Sequence, residues 1–310
     1  MAKILIAGID APGGHAIAAA LLRNDPATEV LGMDVAPTPP GVDAGGIHLH
    51  TAAPGTRRCE DILDEEQPDA IVMVPRWVPL RGEAPLADAV SAMLASTARC
   101  GIRQFVLVGS AAIYGPATEG DLLVDEAAGA GAALQGWLRE AAAADAAASR
   151  FLWRHPEVRT AILRAANLVG ESTSVGLGCL LGPGTALTLP FFDPPVQVLH
   201  MDDLGDAVSL ALRQKLHGTF NVAGPAPLPL GEAIRRSGGT TLPLPAALHA
   251  PAGYLLGDAL RRPAPEECAL ERAPCTVDDS RFRAETGFEH QWQLNDIFGQ
   301  LTATGTNRAG

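Results

Sequence analysis

Lys3-Ile-Leu-Ile-Ala-Gly8-Ile-Asp-Ala11-Pro-Gly-Gly14-His-Ala-Ile-Ala-Ala-Ala-Leu-Leu-Arg23 is the stretch whose reading decides the fold. A short unbroken apolar run ends in glycine, as a strand buried on both faces does. Residues 15–23 then carry helical spacing and good helix formers, and Glu29–Asp34 (EVLGMD) reads as a second strand. Strand, glycine turn, helix and strand make the unit from which parallel sheets are built. Gly8, Ala11 and Gly14 stand at the spacing of a three-glycine turn, with alanine in the middle place. Glycine there permits a tight turn and a close backbone approach to a diphosphate, and the following helix start offers N–H groups and a positive dipole end. Asp34 lies 20 residues past Gly14, at the end of the second strand. An acidic group at that place accepts hydrogen bonds from ribose hydroxyls and repels a 2′-phosphate, which favours NAD over NADP. The plainer alternative is a tight turn with a solvated aspartate at a strand end.

The alternation continues outward. Ile47–His50 is a candidate third strand, residues 59–66 a helix, Ala70–Val74 (AIVMV) a strand, Leu86–Cys100 a helix and Gln104–Gly109 (QFVLVG) a strand. An alanine-rich helix is expected from Glu126 to about Phe151, followed by a strand at Thr160–Arg164. Strands alternating with helices predict a parallel sheet covered on both faces, a doubly wound α/β fold. After Asn167 the period is lost and Gly and Pro multiply. Residues 1–170 therefore read as a dinucleotide-binding core, and residues 171–310 as a mixed segment that completes the sheet and forms a small substrate lobe. Within it, Val196–His200 reads as a strand, Asp203 as the cap of a helix to Arg213, and Thr219–Val222 as a strand.

Composition narrows the function. Of 310 residues 47% are hydrophobic, enough for a large core. The formal charge of −12 and the lack of any Lys/Arg run argue against nucleic acid as a partner. Five scattered cysteines, with no C-x-x-C, suit free thiols in a reducing cytoplasm and no metal site. No stretch approaches the roughly 18 apolar residues of a membrane span, and the start of the chain lacks the pattern of a leader.

From the fifth strand onward a resemblance emerges. Phe105-Val-Leu-Val-Gly-Ser110-Ala-Ala-Ile-Tyr114-Gly-Pro116, Ile162-Leu-Arg-Ala-Ala-Asn167-Leu-Val-Gly170, Leu199-His-Met-Asp-Asp203, Gly218-Thr-Phe-Asn-Val-Ala223 and Asp279-Ser-Arg-Phe-Arg-Ala-Glu-Thr-Gly287 follow one another in order. Together they resemble the NAD-dependent epimerase/dehydratase proteins, which are extended short-chain dehydrogenases/reductases. The resemblance implies a seven-stranded Rossmann domain, bound NAD(P), a small-molecule substrate, a homodimer formed through the helices after the fourth and fifth strands, and a catalytic Ser at Ser110. It also puts Val74 and Pro75, at the end of the fourth strand, against the cofactor, and Asn167 near the substrate.

One part of the pattern is missing. The family's chemistry uses a Tyr-x-x-x-Lys pair on the long helix, where Lys lowers the phenol pKa and Tyr passes a proton. Here the only tyrosines are Tyr114 and Tyr254, followed four residues on by Thr118 and Asp258, and the only lysines are Lys3 and Lys215. Alignment sets Trp137 in the Tyr place and Ala141 in the Lys place. Indole donates a hydrogen bond without titrating, so Trp137 stacks on a ligand, fills the nicotinamide pocket or simply packs. Tyr114 becomes a candidate acid–base group, and Glu119, Glu126 and His200 are further ones. Arg76, after the fourth strand, is a candidate for an anion or an ordinary surface residue. The leading expectation is an atypical small-molecule enzyme with non-redox proton-transfer chemistry. A conventional NAD-dependent epimerase, dehydratase or ketoreductase with a relocated acid–base group is the second expectation, and a non-catalytic dinucleotide sensor the third.

Overall fold

A computed structural model describes residues 2–35, 47–76, 84–115, 123–132, 134–170, 176–256, 260–261 and 276–307. The central sheet has seven strands: β1 (Lys3–Ala7), β2 (Glu29–Asp34), β3 (Ile47–Thr51), β4 (Ala70–Met73), β5 (Gln104–Ser110), β6 (Arg159–Ala165) and β7 (Gly218–Val222). Their order is β7-β6-β5-β4-β1-β2-β3, and every pairing is parallel.

Period-two alternation along each strand divides the core into two layers. Ile4, Ile6, Val106 and Leu163 meet Ile17 and Leu21 of α1 (Gly14–Asn24) and Leu204 and Val208 of α5 (Met201–Arg213). On the opposite face Leu5, Leu31, Ile71 and Phe105 meet Ile62 and Leu63 of α2 (Arg57–Glu66), Met93 and Leu94 of α3 (Leu86–Arg99) and Phe151 of α4 (Trp137–Arg154). Each such side chain, fully buried, contributes about 1.5–3 kcal/mol. α1 and α5 approach closely: a Cβ on Gly205 would stand 2.7 Å from the Ala16 carbonyl oxygen. Arg23 closes the same contact with a 2.6 Å ion pair to Asp206.

The chain steps from β5 to β6 through α4, and from β6 to β7 through α5, moving in one direction across the sheet but over opposite faces. The last crossover therefore has the opposite hand to the others, against the strong right-handed preference of parallel connections. The lobe is built from two parts of the chain, one between β6 and α5 and one after β7. Its three-stranded sheet has Gly184–Thr188 between Gly239–Pro243 and Leu260–Arg261, over a core that includes Leu181, Val196, Ile234 and Phe298.

Two expectations need correction. The alanine-rich helix starts at Trp137, eleven residues after Glu126. The segment before it is held by other means: Val124 N–H donates to Thr276 at 2.9 Å and Gly131 N–H to Ile113 at 2.9 Å, and Gly136 turns the chain at φ 54°. The cap of α5 is His200, whose Nδ1 accepts the Asp202 N–H at 3.2 Å. Asp203 lies inside the helix, and its carboxylate accepts the N–H groups of Gln291 at 2.9 Å and Trp292 at 3.4 Å, tying down the C-terminal segment. No described helix is long and apolar enough to cross a membrane.

Candidate active site

The carboxyl ends of all seven parallel strands share one edge, and the strand order reverses between β1 and β4. Ligands of open α/β sheets bind outside this edge at such a reversal. Gly8 and Val74 face one another there. Gly8 has φ 89°, and a Cβ on it would stand 2.0 Å from the Val74 carbonyl oxygen. The turn is pinned on both sides by Gly8 N–H to Met33 at 2.7 Å and Val74 N–H to Ala7 at 2.8 Å. Gly13, at φ 94°, caps α1, and a Cβ on Gly14 would stand 2.2 Å from the Ile9 carbonyl oxygen. Ala11, the alanine in the middle place, is buried and its methyl belongs to the core layer beneath the turn. The first N–H groups of α1 have no partner within the helix, as at every helix start. Asp10, inside the turn, pairs with His15 Nε2 at 3.0 Å.

Asp34 ends β2 with its side chain 5% exposed. Its Oδ1 accepts from Val35 N–H at 2.7 Å and its Oδ2 from Asp10 N–H at 3.0 Å. The Arg76 Nη2 donates to both oxygens at 3.1 Å. Arg76, which follows Val74 and Pro75, is thus neither a surface residue nor an unattached anion site: it is bound to the carboxylate expected to read ribose.

Ser110 ends β5 opposite Ala165 of β6, and Asn167 follows two residues later, so these two groups share the neighbouring part of the edge. Ser110 Oγ accepts the Ala112 N–H at 3.2 Å, capping the turn Ala111–Tyr114, and a hydroxyl that accepts in this way can also donate its proton. Asn167 Nδ2 donates to the Gln197 carbonyl at 3.0 Å. Trp137, half-buried, opens α4, and Ala141 follows one turn later, buried. α4 packs on the turn Ala111–Tyr114 that Ser110 begins.

Tyr114 points into the core. Its hydroxyl donates to Asn221 Oδ1 at 2.8 Å and accepts from Arg164 Nη1 at 2.7 Å. Arg164 also holds Asp145 of α4 through Nε at 2.9 Å and Nη2 at 2.8 Å. Asn221 reaches the carbonyls of Val124 and Asp278, and its N–H donates to Glu126 at 2.8 Å. Burial pushes the Tyr114 hydroxyl above its ordinary pKa, against Arg164 and Asn221, which favour the phenolate. Burial opposes the charge on Arg164, yet Asp145 and Tyr114 outweigh it and hold its pKa above the ordinary value. This network is a strut joining α4, β6 and β7. Sequence reading missed Arg164 and Asp145, although a lone Arg in a buried strand and a lone Asp four residues past Ala141 were the available signs. Glu126 is engaged in the same strut, and Glu119 lies outside the described residues. His200 is committed to its cap, to Gln300 at 2.8 Å and to a stack on Trp292 at 3.7 Å. Among the described residues no cluster of three or more His, Cys, Asp or Glu is arranged to hold a metal ion.

Two uncharacterized proteins, of Mycobacterium tuberculosis and Mycobacterium bovis, are 30% identical to the chain over 151 residues. That alignment covers 47% of this chain and 39% of each relative, so the match spans about two-fifths of their length. A UDP-glucose-4-epimerase from Stenotrophomonas maltophila, solved with NAD and formylated UDP-arabinopyranose, superposes with a TM-score of 0.74 at 17% identity over the whole of both chains. A dTDP-glucose 4,6-dehydratase from Bacillus anthracis, solved with NAD, gives 0.75 at 12% identity over 99% of this chain and 97% of that one. At such identities these two establish the fold. Residues 4–179, which contain the glycine turn, Asp34, Ser110 and Asn167, match the NAD dependent epimerase/dehydratase family, and the chain belongs to that family.

Proposed function

We propose that the chain binds NAD across the carboxyl edge of β2, β1, β4 and β5 and acts there on a small molecule by proton-transfer chemistry that does not use a tyrosine–lysine pair. Gly8 and Gly14 let the backbone close tightly where a Cβ would collide with the Val74 and Ile9 carbonyl oxygens, and Gly13 takes the left-handed φ of 94° that starts α1. With Ala11 folded away beneath the turn, these residues and the start of α1 fit a dinucleotide diphosphate. Asp34, Val74 and Pro75 would hold its adenosine half. When bound, the nicotinamide supplies hydride chemistry.

The observation that carries the unusual part of the reading is Trp137 and Ala141 at the start of α4, beside the Ser110 turn. Ser110 would donate to a substrate oxygen and Asn167 would orient the substrate, while Trp137 forms a wall. Tyr114 is a poor relocated acid: its hydroxyl is spent on Arg164 and Asn221, and burial raises its pKa. This disfavours a conventional epimerase, dehydratase or ketoreductase. An apolar or neutral substrate suits residues 171–195, which contain no Lys or Arg, and elimination, isomerisation or cyclisation is the chemistry we assign to it. A dinucleotide sensor is the second reading, separated from the first by NAD binding without turnover of any substrate. A homodimer would form through α3 and α4, which pack on each other and leave Trp153 82% exposed; a monomer in sedimentation removes that interface.

Calorimetric titration with NAD⁺, together with release of co-purified nucleotide on denaturation, tests the cofactor. Asp34→Ala is expected to weaken binding about tenfold, the scale of one charge-assisted hydrogen bond. Absence of both binding and released nucleotide would overturn the reading. Tyr114→Phe separates strut from catalyst. It is expected to lower stability by about 1–3 kcal/mol, because Arg164 and Asn221 lose a buried partner, while NAD affinity stays unchanged. Denaturant unfolding and the same titration give the two values, and unchanged stability would return Tyr114 to the list of acid–base candidates.

A further inference from the structure

Asp34 is saturated. A carboxylate offers about four lone-pair directions, and here each oxygen already accepts two donors: Val35 N–H and Arg76 Nη2 on Oδ1, Asp10 N–H and Arg76 Nη2 on Oδ2. The two backbone donors belong to the turn and the strand end, and they stay as long as the fold does. Arg76 is the one donor that can leave.

Its position gives this consequence. β4 and β2 flank β1 on either side, which sets them about 10 Å apart at ordinary strand spacing. The Arg76 side chain bridges from the end of β4 to the end of β2, and therefore lies across the carboxyl end of β1, where the Gly8 turn starts. The pair is also well shielded, with side-chain exposures of 23% for Arg76 and 5% for Asp34. An ion pair so placed is stronger than a solvated one.

We propose that Arg76 is an internal competitor for the ribose-reading carboxylate: adenosine ribose and the Arg76 guanidinium exclude one another on Asp34, so Arg76 sets both the affinity for the dinucleotide and its 2′-phosphate discrimination. The proposal rests on the NAD reading above. A ribose diol must displace Arg76 before it can donate to Asp34, and that displacement weakens NAD binding. The displaced guanidinium stays beside the ribose, where its charge offsets the repulsion of Asp34 toward a 2′-phosphate. The discrimination against NADP that Asp34 alone would impose is thereby reduced.

The test is titration of wild type, Arg76→Ala and Arg76→Gln with NAD⁺ and NADP⁺, alongside thermal melts with and without saturating NAD⁺. Both variants are expected to bind NAD⁺ about tenfold more tightly than wild type, and to shift the NAD⁺/NADP⁺ preference toward NAD⁺. Without ligand they melt below wild type, because Asp34 is left buried with only its two N–H donors, and NAD⁺ narrows the gap because binding adds to stability by linkage. Arg76→Gln keeps side-chain length without charge, so it carries the result if Arg76→Ala fails to fold. Wild type that binds NAD⁺ while both variants bind equally or more weakly overturns the competitor role and leaves the NAD reading standing. If neither wild type nor variants bind any dinucleotide, both fall.

Discussion

Asp145→Ala is expected to destabilise the protein by about 3–5 kcal/mol, because it leaves the Arg164 guanidinium buried without its counter-charge. The side chains of Arg164 and Asp145 are 9% and 8% exposed and meet through two hydrogen bonds. Removing one partner leaves a desolvated charge that Tyr114 and its own stacking over the Tyr114 ring, 5.0 Å from guanidinium carbon to ring centroid, do not neutralise. For a chain of this size the thermal midpoint falls by roughly 5–8 °C. The pair itself adds much less than this loss, since burying two charges costs nearly as much as their attraction returns. The double variant Arg164→Met with Asp145→Leu should therefore recover most of the stability lost by Asp145→Ala alone. Calorimetric melting of the single and double variants decides the matter, and a double variant as unstable as the single would show that the network stabilises through shape and not through charge compensation.

Gly8→Ala is the second large effect. It combines a left-handed φ of 89° with a Cβ that would sit 2.0 Å from the Val74 carbonyl oxygen. No rotamer relieves a backbone contact, and the backbone is fixed by Met33 on one side and Ala7 on the other. Relief requires β4 to separate from β1 at the reversal point. A loss of more than about 4 kcal/mol is expected, in the range reserved for strain and overpacking that cannot relax, together with loss of dinucleotide binding. Denaturant unfolding and NAD⁺ titration measure the two effects. A Gly8→Ala protein of wild-type stability would mean that the glycine turn is not under the constraint its geometry imposes.

Much of the sheet was legible because its strands are short apolar runs ended by Gly, Pro or Asp. Lys3–Ala7 and Glu29–Asp34 are found where the residues put them, as are Ala70–Met73 and Gln104–Ser110. The alanine-rich helix was overextended because alanine content alone favours helix across 126–136, whereas Gly129, Gly131 and Gly136 break it there. Gly131 in particular lies where a Cβ would come within 2.8 Å of the Tyr114 carbonyl oxygen, a tertiary contact that local propensity does not encode. The same limit hid the strut and the Arg76–Asp34 pair. Asp145 and Arg164 are 19 residues apart, Arg76 and Asp34 are 42 apart; the packing of α4 on β6 joins the first pair and the strand order joins the second. The glycine turn and Asp34 were readable because the function they suggest is local, lying within one strand–turn–helix–strand unit.

The reversed hand of the last crossover has a consequence for how the chain assembles as it is made. α1 leaves the ribosome with the first thirty or so residues, yet the helix that covers it, α5, comes from residues 201–213; Arg23 waits 183 residues for Asp206. Until then Ile17, Ala18 and Leu21, the face on which the glycine turn is mounted, have no helical cover from the nascent chain. The N-terminal half of a chain of this size would ordinarily fold first during synthesis. Here it cannot finish before two-thirds of the protein exists. A chain cut near residue 170 would keep every residue of the glycine turn and lose the helix and strand that complete its layer, so its natural fate is capture by chaperones or aggregation, not a working half.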